Sequence, residues 1–371
     1  MRVLQLISSA GYYGAENVVV NLATALRELG CMPVVGAFHQ PGAVEPDILR
    51  FARERGLETW SFPCSGKLDR GSVPVLRRQL GRFDVLHTHG YKANLYGWLA
   101  SRGLGVGPVA TCHNWPNRKG ALAVYAALDR LILRRFPKVF AVSPGVLELL
   151  GHFGIRPPQA EVINNGIDTA RFRADVPDLR GEFGLAGKLV VGTVTRLAPG
   201  KGLELLIESF AALADRRPEA RLLIAGAGPL DQALRTQAAA TTCADRILFT
   251  GARADMPSLY ATLDVFALAS FDEGMPMTVL ESMSAGRAVV ATSVGAIPRL
   301  IRDGVNGRLI PARDRDALIA AIDTLAGDST QRAAFGQSAR LTIEQEFSSL
   351  AMAKQYLAHY RQLCPQKKEA A

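Results

Sequence analysis

The chain has 371 residues, too many for one ordinary core and suited to two domains of ordinary size. Hydrophobic residues make up 48% and charged residues 21%, which excludes disordered and fibrous classes. The net charge of +9 is unevenly placed: residues 1–175 carry 21 Lys and Arg against 13 Asp and Glu while the remainder carries 22 against 21. A basic surface of this kind attracts nucleic acid or an anionic leaflet; no nucleic-acid module is present, so the membrane is the favoured partner.

The opening stretch MRVLQLISSAGYYG holds too short an apolar run for a signal peptide, and no run reaches the length of a membrane-spanning helix, so a cytoplasmic protein is expected. RVLQLISS reads as a buried strand and AGYYGAE as a glycine-bearing loop. NVVVNLATALREL reads as an amphipathic helix closed by Gly30, and PVVGAFH as a second strand. FDVLHTHG and KVFAVS continue as strands, with LYGWLASR and ALAVYAALDRLILRRF as helices between them. The alternation predicts a parallel, doubly wound α/β domain over residues 1–168.

Residues 169–188, rich in turns and charges, are expected to link this domain to a second one. The cycle then restarts with the strand LVVGTVTR, the helix LELLIESFAALADRRP, the strand and turn RLLIAGAGP, the helix LDQALRTQAAATT and the strand RILFTG. VFALAS is the next strand and PMTVLESMSAG the next helix. The second domain is placed at 189–360 with a tail at 361–371, and the last helix is allowed to pack back on the first domain. Two such sheets are expected to face across a cleft, with ligand at the carboxyl ends of their strands. The five cysteines, Cys31, Cys64, Cys112, Cys243 and Cys364, are scattered without a CxxC pair and read as small buried hydrophobes.

The glycine loops follow strands and open helices, the setting in which backbone N–H groups meet a phosphate. GYYGAEN is not GxGxxG, so a dinucleotide site is poorly met, and no GxxxxGK[ST] is present. In TRLAPGKG, Arg196 at a strand end and Lys201 before a helix set a planar fork and a point charge beside a glycine turn, a pairing suited to a diphosphate. EGMPMTVLE adds Glu273 and Glu281. Pro276 is expected in the first turn of a helix, with Gly274 and Met275 at its entry. The backward lean of helical side chains brings Glu281 toward Glu273. Carboxylates repel phosphate and accept from hydroxyls, so the ligand that satisfies both sets is a nucleotide sugar.

These motifs together resemble retaining glycosyltransferases of family 4, with the two-domain GT-B fold, over nearly the whole chain. The segments that carry the resemblance are ISSAGYYGAE, ATCHNW, VINNGID, TRLAPGKG and EGMPMTVLESMSAG. The resemblance implies that Arg196 and Lys201 hold the pyrophosphate, Glu273 the sugar hydroxyls and Glu281 the ribose. It places Gly274, Met275, Pro276 and Met277 beside the donor, Gly14 where the first domain closes over the leaving phosphate, and His113 in the sugar pocket. It implies transfer from a UDP- or GDP-sugar to a glycan or lipid-linked acceptor in surface polysaccharide synthesis, with retention, no cofactor and no metal. Departures from the family pattern are Thr195, Asn164, Ala288, Ala296 and Arg299, which bear on donor choice and packing.

Other readings compete. A nucleotide-sugar epimerase of the same fold needs no acceptor, and a silent nucleotide-binding scaffold would not turn over. His87 and His89 lie on one side of a strand and with His113 could hold zinc, but no carboxylate or cysteine spacing accompanies them, so packing is favoured. Asp314 to Asp316 mimics an Asp-x-Asp metal site and is better read as a helix cap. Residues 118–138 form a basic amphipathic stretch with Tyr125 and Phe136. It packs on the first sheet, and can also touch a bilayer if Arg118, Lys119, Arg134, Arg135 and Lys138 point outward.

Overall fold

The apolar run after Met1 forms β1 (Arg2–Ile7), buried from Val3 onward, and leads into α1 (Gly14–Glu28). The helix starts three residues before the expected point, so Gly14, Ala15 and Glu16 form its first turn, where the Glu16 carboxylate suits the positive end of the dipole. It ends as expected at Gly30, whose φ of 81° lets the Gly30 and Cys31 amides turn back onto the Arg27 and Leu26 carbonyls.

β2 (Met32–His39), α2 (Asp47–Glu54), β3 (Glu58–Pro63), α3 (Ser72–Leu80) and β4 (Val85–His89) follow. Then come α4 (Tyr91–Ser101), β5 (Gly107–Cys112), α5 (Ala121–Leu133), β6 (Lys138–Ala141), α6 (Pro144–His152) and β7 (Ala160–Val162). The computed structural model describes residues 1–9, 11, 14–66, 69, 71–113, 121–172 and 175–364, and for 121–125 the backbone alone.

By its contacts the chain divides into two units, one of Met1–Gly166 with the segment from Ser349, the other Ile167–Ser348. The first unit holds a parallel sheet in the order β3-β2-β1-β4-β5-β6-β7. The sequence reading ran the second domain to residue 360 but allowed the last helix to pack back on the first domain, and the C-terminal helix (Ser349–Leu363) does lie in the first unit, where it packs against α1. Its buried face carries Met352, Ala353, Tyr356, Leu357 and Tyr360.

The second unit contains β8 (Leu189–Val194), α7 (Leu203–Ala214), β9 (Ala220–Ala225), α8 (Asp231–Ala239), β10 (Ile247–Gly251), α9 (Met256–Thr262) and β11 (Val265–Leu268). It continues with α10 (Met277–Ser284), β12 (Ala288–Thr292), α11 (Ile297–Leu300), β13 (Arg308–Ile310), α12 (Arg315–Gly327) and α13 (Ser329–Glu346). Its sheet is also parallel, in the order β10-β9-β8-β11-β12-β13.

Residues read as a linker belong to this unit. Phe172 is buried with its ring 5.8 Å from that of Tyr260, and the Leu179 amide donates to Thr262 Oγ1 at 2.8 Å. Asp264 Oδ2 accepts from Arg180 Nη2 at 2.9 Å and from the Val190 amide at 2.7 Å, which fastens the segment to the start of β8.

In each sheet the winding direction reverses once, between β1 and β4 in the first unit and between β8 and β11 in the second. Helices leave in opposite directions from the two strands at such a point, which opens a crevice above their carboxyl ends. The residues of functional interest collect at these two places.

Candidate functional site

In the second unit Arg196 follows β8, Lys201 precedes Gly202 at the start of α7, and Glu273 lies in the loop between β11 and α10. Lys201 Nζ donates to Glu273 Oε1 at 2.7 Å, with side chains 27% and 10% exposed. The two loops meet at backbone level: the Phe271 amide donates to the Gly200 carbonyl at 2.8 Å, and a Cβ on Gly202 would lie 2.0 Å from the Ala269 carbonyl oxygen. Gly202 has φ +65°, so this approach and this conformation both require glycine. Arg196 is exposed at the same strand end.

α10 begins one residue later than expected. Pro276, φ −73° and ψ 117°, is the cap, and its carbonyl takes the first intrahelical bonds, from Val279 and Leu280. Pro276 has no N–H, so the amides offered to a ligand come from its neighbours. The Gly274 carbonyl is already engaged by the Ala296 amide at 2.8 Å. Met275 and Met277 are buried beneath the turn.

Glu281 is 5% exposed and its Oε2 accepts from Tyr260 Oη at 2.8 Å. Burial and this carboxylate together hold the Tyr260 phenol far above its ordinary range, so it stays a donor. The sequence reading set Glu281 beside Glu273. The partners the structure gives them differ, Tyr260 for one and Lys201 for the other.

Reading by motif missed Gly295, in the loop after β12. Its φ is +56° and a Cβ there would lie 1.9 Å from the Glu273 carbonyl oxygen. The signal was present in SVGAIP, a glycine after a strand with a proline opening the next helix, but what it braces lies 22 residues away in the chain.

In the first unit a cavity of about 150 Å³ opens where β1, β4 and β5 end. Ile7, Glu16, His89, Tyr91, His113 and Asp129 contribute to its wall. His113, half-buried just after β5, has Nε2 3.0 Å from His89 Nδ1, and His89 Nε2 is 2.8 Å from Gln5 Oε1. His87 Nδ1 is 2.6 Å from Tyr360 Oη and its Nε2 is 2.7 Å from Thr111 Oγ1.

Both nitrogens of His87 and of His89 thus have organic partners, which accounts for them as packed, hydrogen-bonded residues. Removal from water lowers the pKa of His113 to about 4 and those of His87 and His89 well below the usual value. All three are neutral at pH 7. Gly14, expected in a loop, is the exposed first residue of α1, next to Ala15 and Glu16 of the cavity wall.

The remaining candidates resolve as follows. Asp314 caps α12, accepting from the Ala317 amide at 2.9 Å, as read. Helix α5 stops at Leu133, so the amphipathic stretch is shorter than expected: Phe136 is buried, Lys138 pairs with Glu161 at 2.6 Å, and Arg134 Nε donates to the Phe153 carbonyl at 2.7 Å. Arg118 and Lys119 and the side chain of Tyr125 lie outside the described residues. Cys31, Cys64, Cys112 and Cys243 are buried free thiols and Cys364 is half-buried. Among the described residues no helix is long and apolar enough to cross a membrane.

Two outcomes follow from this geometry. Gly295→Ala forces the Glu273–Gly274 backbone to move and adopts a strained φ, so it should cost about 1–3 kcal/mol in denaturant unfolding; an unchanged midpoint would show that the loop does not rest on residue 295. The histidines give a pH dependence. An unfolded chain protonates its histidines near 6.5, whereas the folded chain resists until about 4 at His113. Their contribution is therefore complete above about pH 6.5 and is lost as pH falls toward 4. The melting temperature of the wild type should drop between pH 7 and pH 5, above most carboxylate titration, and His113→Gln should flatten that drop.

Residues 188–328 match the family described as Glycosyl transferases group 1, and residues 12–171 match Glycosyltransferase Family 4. A GDP-mannose-dependent alpha-(1-6)-phosphatidylinositol monomannoside mannosyltransferase of Mycolicibacterium smegmatis is 32% identical over 305 residues, covering 78% of this chain and 73% of that protein. The phosphatidyl-myo-inositol mannosyltransferase of the same organism is 30% identical over 334 residues, 87% of this chain and 83% of that one. Among solved structures, Anabaena Alr3699/HepE in complex with UDP-glucose superposes with a TM-score of 0.85 at 25% identity, covering 98% of this chain and 100% of that one. The two parallel α/β units are those of the GT-B fold, and the chain belongs to glycosyltransferase family 4, within the glycosyl transferases group 1.

Proposed function

We propose that this glycosyltransferase moves a sugar from a UDP- or GDP-linked donor to a glycan or lipid-linked acceptor with retention of configuration, as a step in surface polysaccharide or glycolipid synthesis. The observation that carries the reading is the Lys201–Glu273 pair at the switch point of the second sheet, beside the N-terminus of α10. A cation and a carboxylate in contact offer a nucleotide sugar both of the groups it needs. Relatives named for GDP-mannose and phosphatidylinositol, and a neighbour solved with UDP-glucose, support the donor and acceptor classes.

In this scheme the bond between the sugar's anomeric carbon and the phosphate oxygen breaks, and its electron pair passes to the nucleoside diphosphate. Lys201, Arg196 and the amides around Gly274, Met275 and Met277 stabilise that charge as it grows. Lys201 turns from Glu273 toward the phosphate, and Glu273 then accepts from sugar hydroxyls, so neither charge is left unpaired when the ligand excludes water. Glu281, held by Tyr260, is assigned to the ribose. The acceptor oxygen bonds to the anomeric carbon on the face the diphosphate leaves, and its proton goes to a phosphate oxygen. With the cations supplied by side chains, this chemistry needs no metal.

Lys201→Ala should lower turnover by about 10²-fold or more, the cost of losing a transition-state charge donor. Turnover is measured as hydrolysis or transfer over a panel that includes UDP-glucose and GDP-mannose. A variant as active as the wild type would remove Lys201 from the mechanism.

The basic first half supports peripheral contact of the enzyme with an anionic leaflet on its cytoplasmic face, where a lipid-linked acceptor would be met. Sedimentation with phosphatidylserine-containing vesicles should be strong at low salt and fade as salt rises. Equal retention on neutral vesicles would count against the contact.

A further inference from the structure

The loop after β13 holds the one non-glycine residue with a positive φ among the described residues, Arg313 at 67°. It stands third in the turn Pro311–Asp314, which the Asp314 amide closes on the Pro311 carbonyl at 3.4 Å, a place where a left-handed backbone ordinarily calls for Gly or Asn. Its side chain crosses the end of β12 to the loop after β11, where Arg313 Cζ lies 4.2 Å from the centroid of the Phe271 ring. We propose that Arg313 is a positioning residue: stacked on Phe271, it holds together the two loops that carry Lys201 and Glu273, and its own turn is strained as a result. The activity half of this proposal rests on the reading of those two residues above; the loop half does not.

Nothing in its own turn engages the side chain. Asp314 beside it accepts from the Ala317 amide at 2.9 Å as the cap of α12, and Arg313 makes neither a hydrogen bond nor an ion pair with the described residues. A left-handed backbone crowds the Cβ of an L-residue against the carbonyl oxygen that follows it. The stack of an exposed guanidinium on a ring is weak, no larger than that strain. The contact therefore adds little to the stability of the unit, and its effect is to fix the ring. A planar guanidinium suits such a contact better than a compact ammonium.

Phe271 is where a hold matters. Its amide donates to the Gly200 carbonyl at 2.8 Å, one residue before Lys201, and two residues after it comes Glu273. Other bonds secure the surroundings: Thr292 Oγ1 donates to the Ser270 carbonyl at 2.6 Å, the Ala296 amide to the Gly274 carbonyl at 2.8 Å, and the Ser293 amide to the Ile310 carbonyl at 2.8 Å. These grip residues 270 and 274 and the end of β13. Arg313 adds a hold on the half-buried ring between them. Without it the ring swings more freely, the Phe271 amide leaves Gly200 more often, and Lys201 and Glu273 lose their common frame.

The test is amide hydrogen exchange of the full-length protein without ligand, read by mass spectrometry on peptides covering residues 269–276, beside unfolding midpoints in guanidinium chloride. Arg313→Gly removes the stack and the strain together. Exchange at 269–276 should run about two- to fivefold faster, the weight of one exposed cation–π contact, while the midpoint stays at or above that of the wild type. Arg313→Ala keeps the strain and loses the stack, so it should speed exchange as much and lower the midpoint. Phe271→Leu should speed exchange too, and adding Arg313→Gly to it should change exchange no further. Turnover of UDP-glucose or GDP-mannose by Arg313→Gly should fall about two- to fivefold, in kcat rather than KM.

Unchanged exchange at 269–276 in Arg313→Gly overturns the proposal, and so do additive effects of the two substitutions. A midpoint lowered enough to account for the faster exchange also overturns it, and an Arg313→Gly chain that fails to fold is the extreme of that outcome. Faster exchange with undiminished turnover overturns the activity half. If the wild type consumes neither donor, the donor assignment fails while exchange still decides the loop half.

Discussion

Two loops occupy the gap above β8 and β11 at backbone contact, and the second unit's site depends on that closeness. Gly202 sits against the Ala269 carbonyl and Gly295 against the Glu273 carbonyl, each at a distance no Cβ tolerates. Hydrogen bonds from Phe271 to Gly200 and from Ala296 to Gly274 close the same seams. Lys201 and Glu273 therefore meet on backbone frames that these contacts fix. The ion pair itself adds little to stability in a half-open setting. In contact, each of the two charges compensates the other.

The first unit solves a different problem. Its sheet buries Gln5, His87, His89 and Thr111, groups that would be costly in an apolar core. They are tolerated because each finds a partner, and because the C-terminal helix brings Tyr356 and Tyr360 to cover them. Rings pack as well as bond: His87 lies 4.2 Å from His89 and 5.0 Å from Tyr356, centroid to centroid. Burial keeps the imidazoles neutral, so each ring can donate from one nitrogen and accept at the other. A protonated ring would donate from both nitrogens and could no longer accept.

Much of this was legible from residue order. Alternating apolar strands and amphipathic helices specify two parallel α/β units. Short strands were harder to see: β5 carries Gly107 and Pro108 at its start, and β3 mixes Glu58 and Ser61 with aromatics, so neither offers a plain apolar run. Pro276 was placed one position too deep because a proline suits both a cap and a first turn. The segment at 169–188 looked like a linker by composition, yet a few bonds through Asp264 and Thr262 make it part of the second unit.

The sequence by itself determined the fold class, the family and the cap at Asp314, because these follow from local periodicity and from spacing within short motifs. Only the tertiary structure decided that Glu281 takes Tyr260 while Glu273 takes Lys201, that Gly295 braces the glutamate loop, and that the last helix closes over the histidines of the first sheet. Tyr360 and Gln5 are 355 residues apart in the chain. Hydrogen-bond partners at such separations are chosen by which side chains a sheet and its covering helix bring within 3 Å or so of one another, and a linear reading contains no trace of that choice.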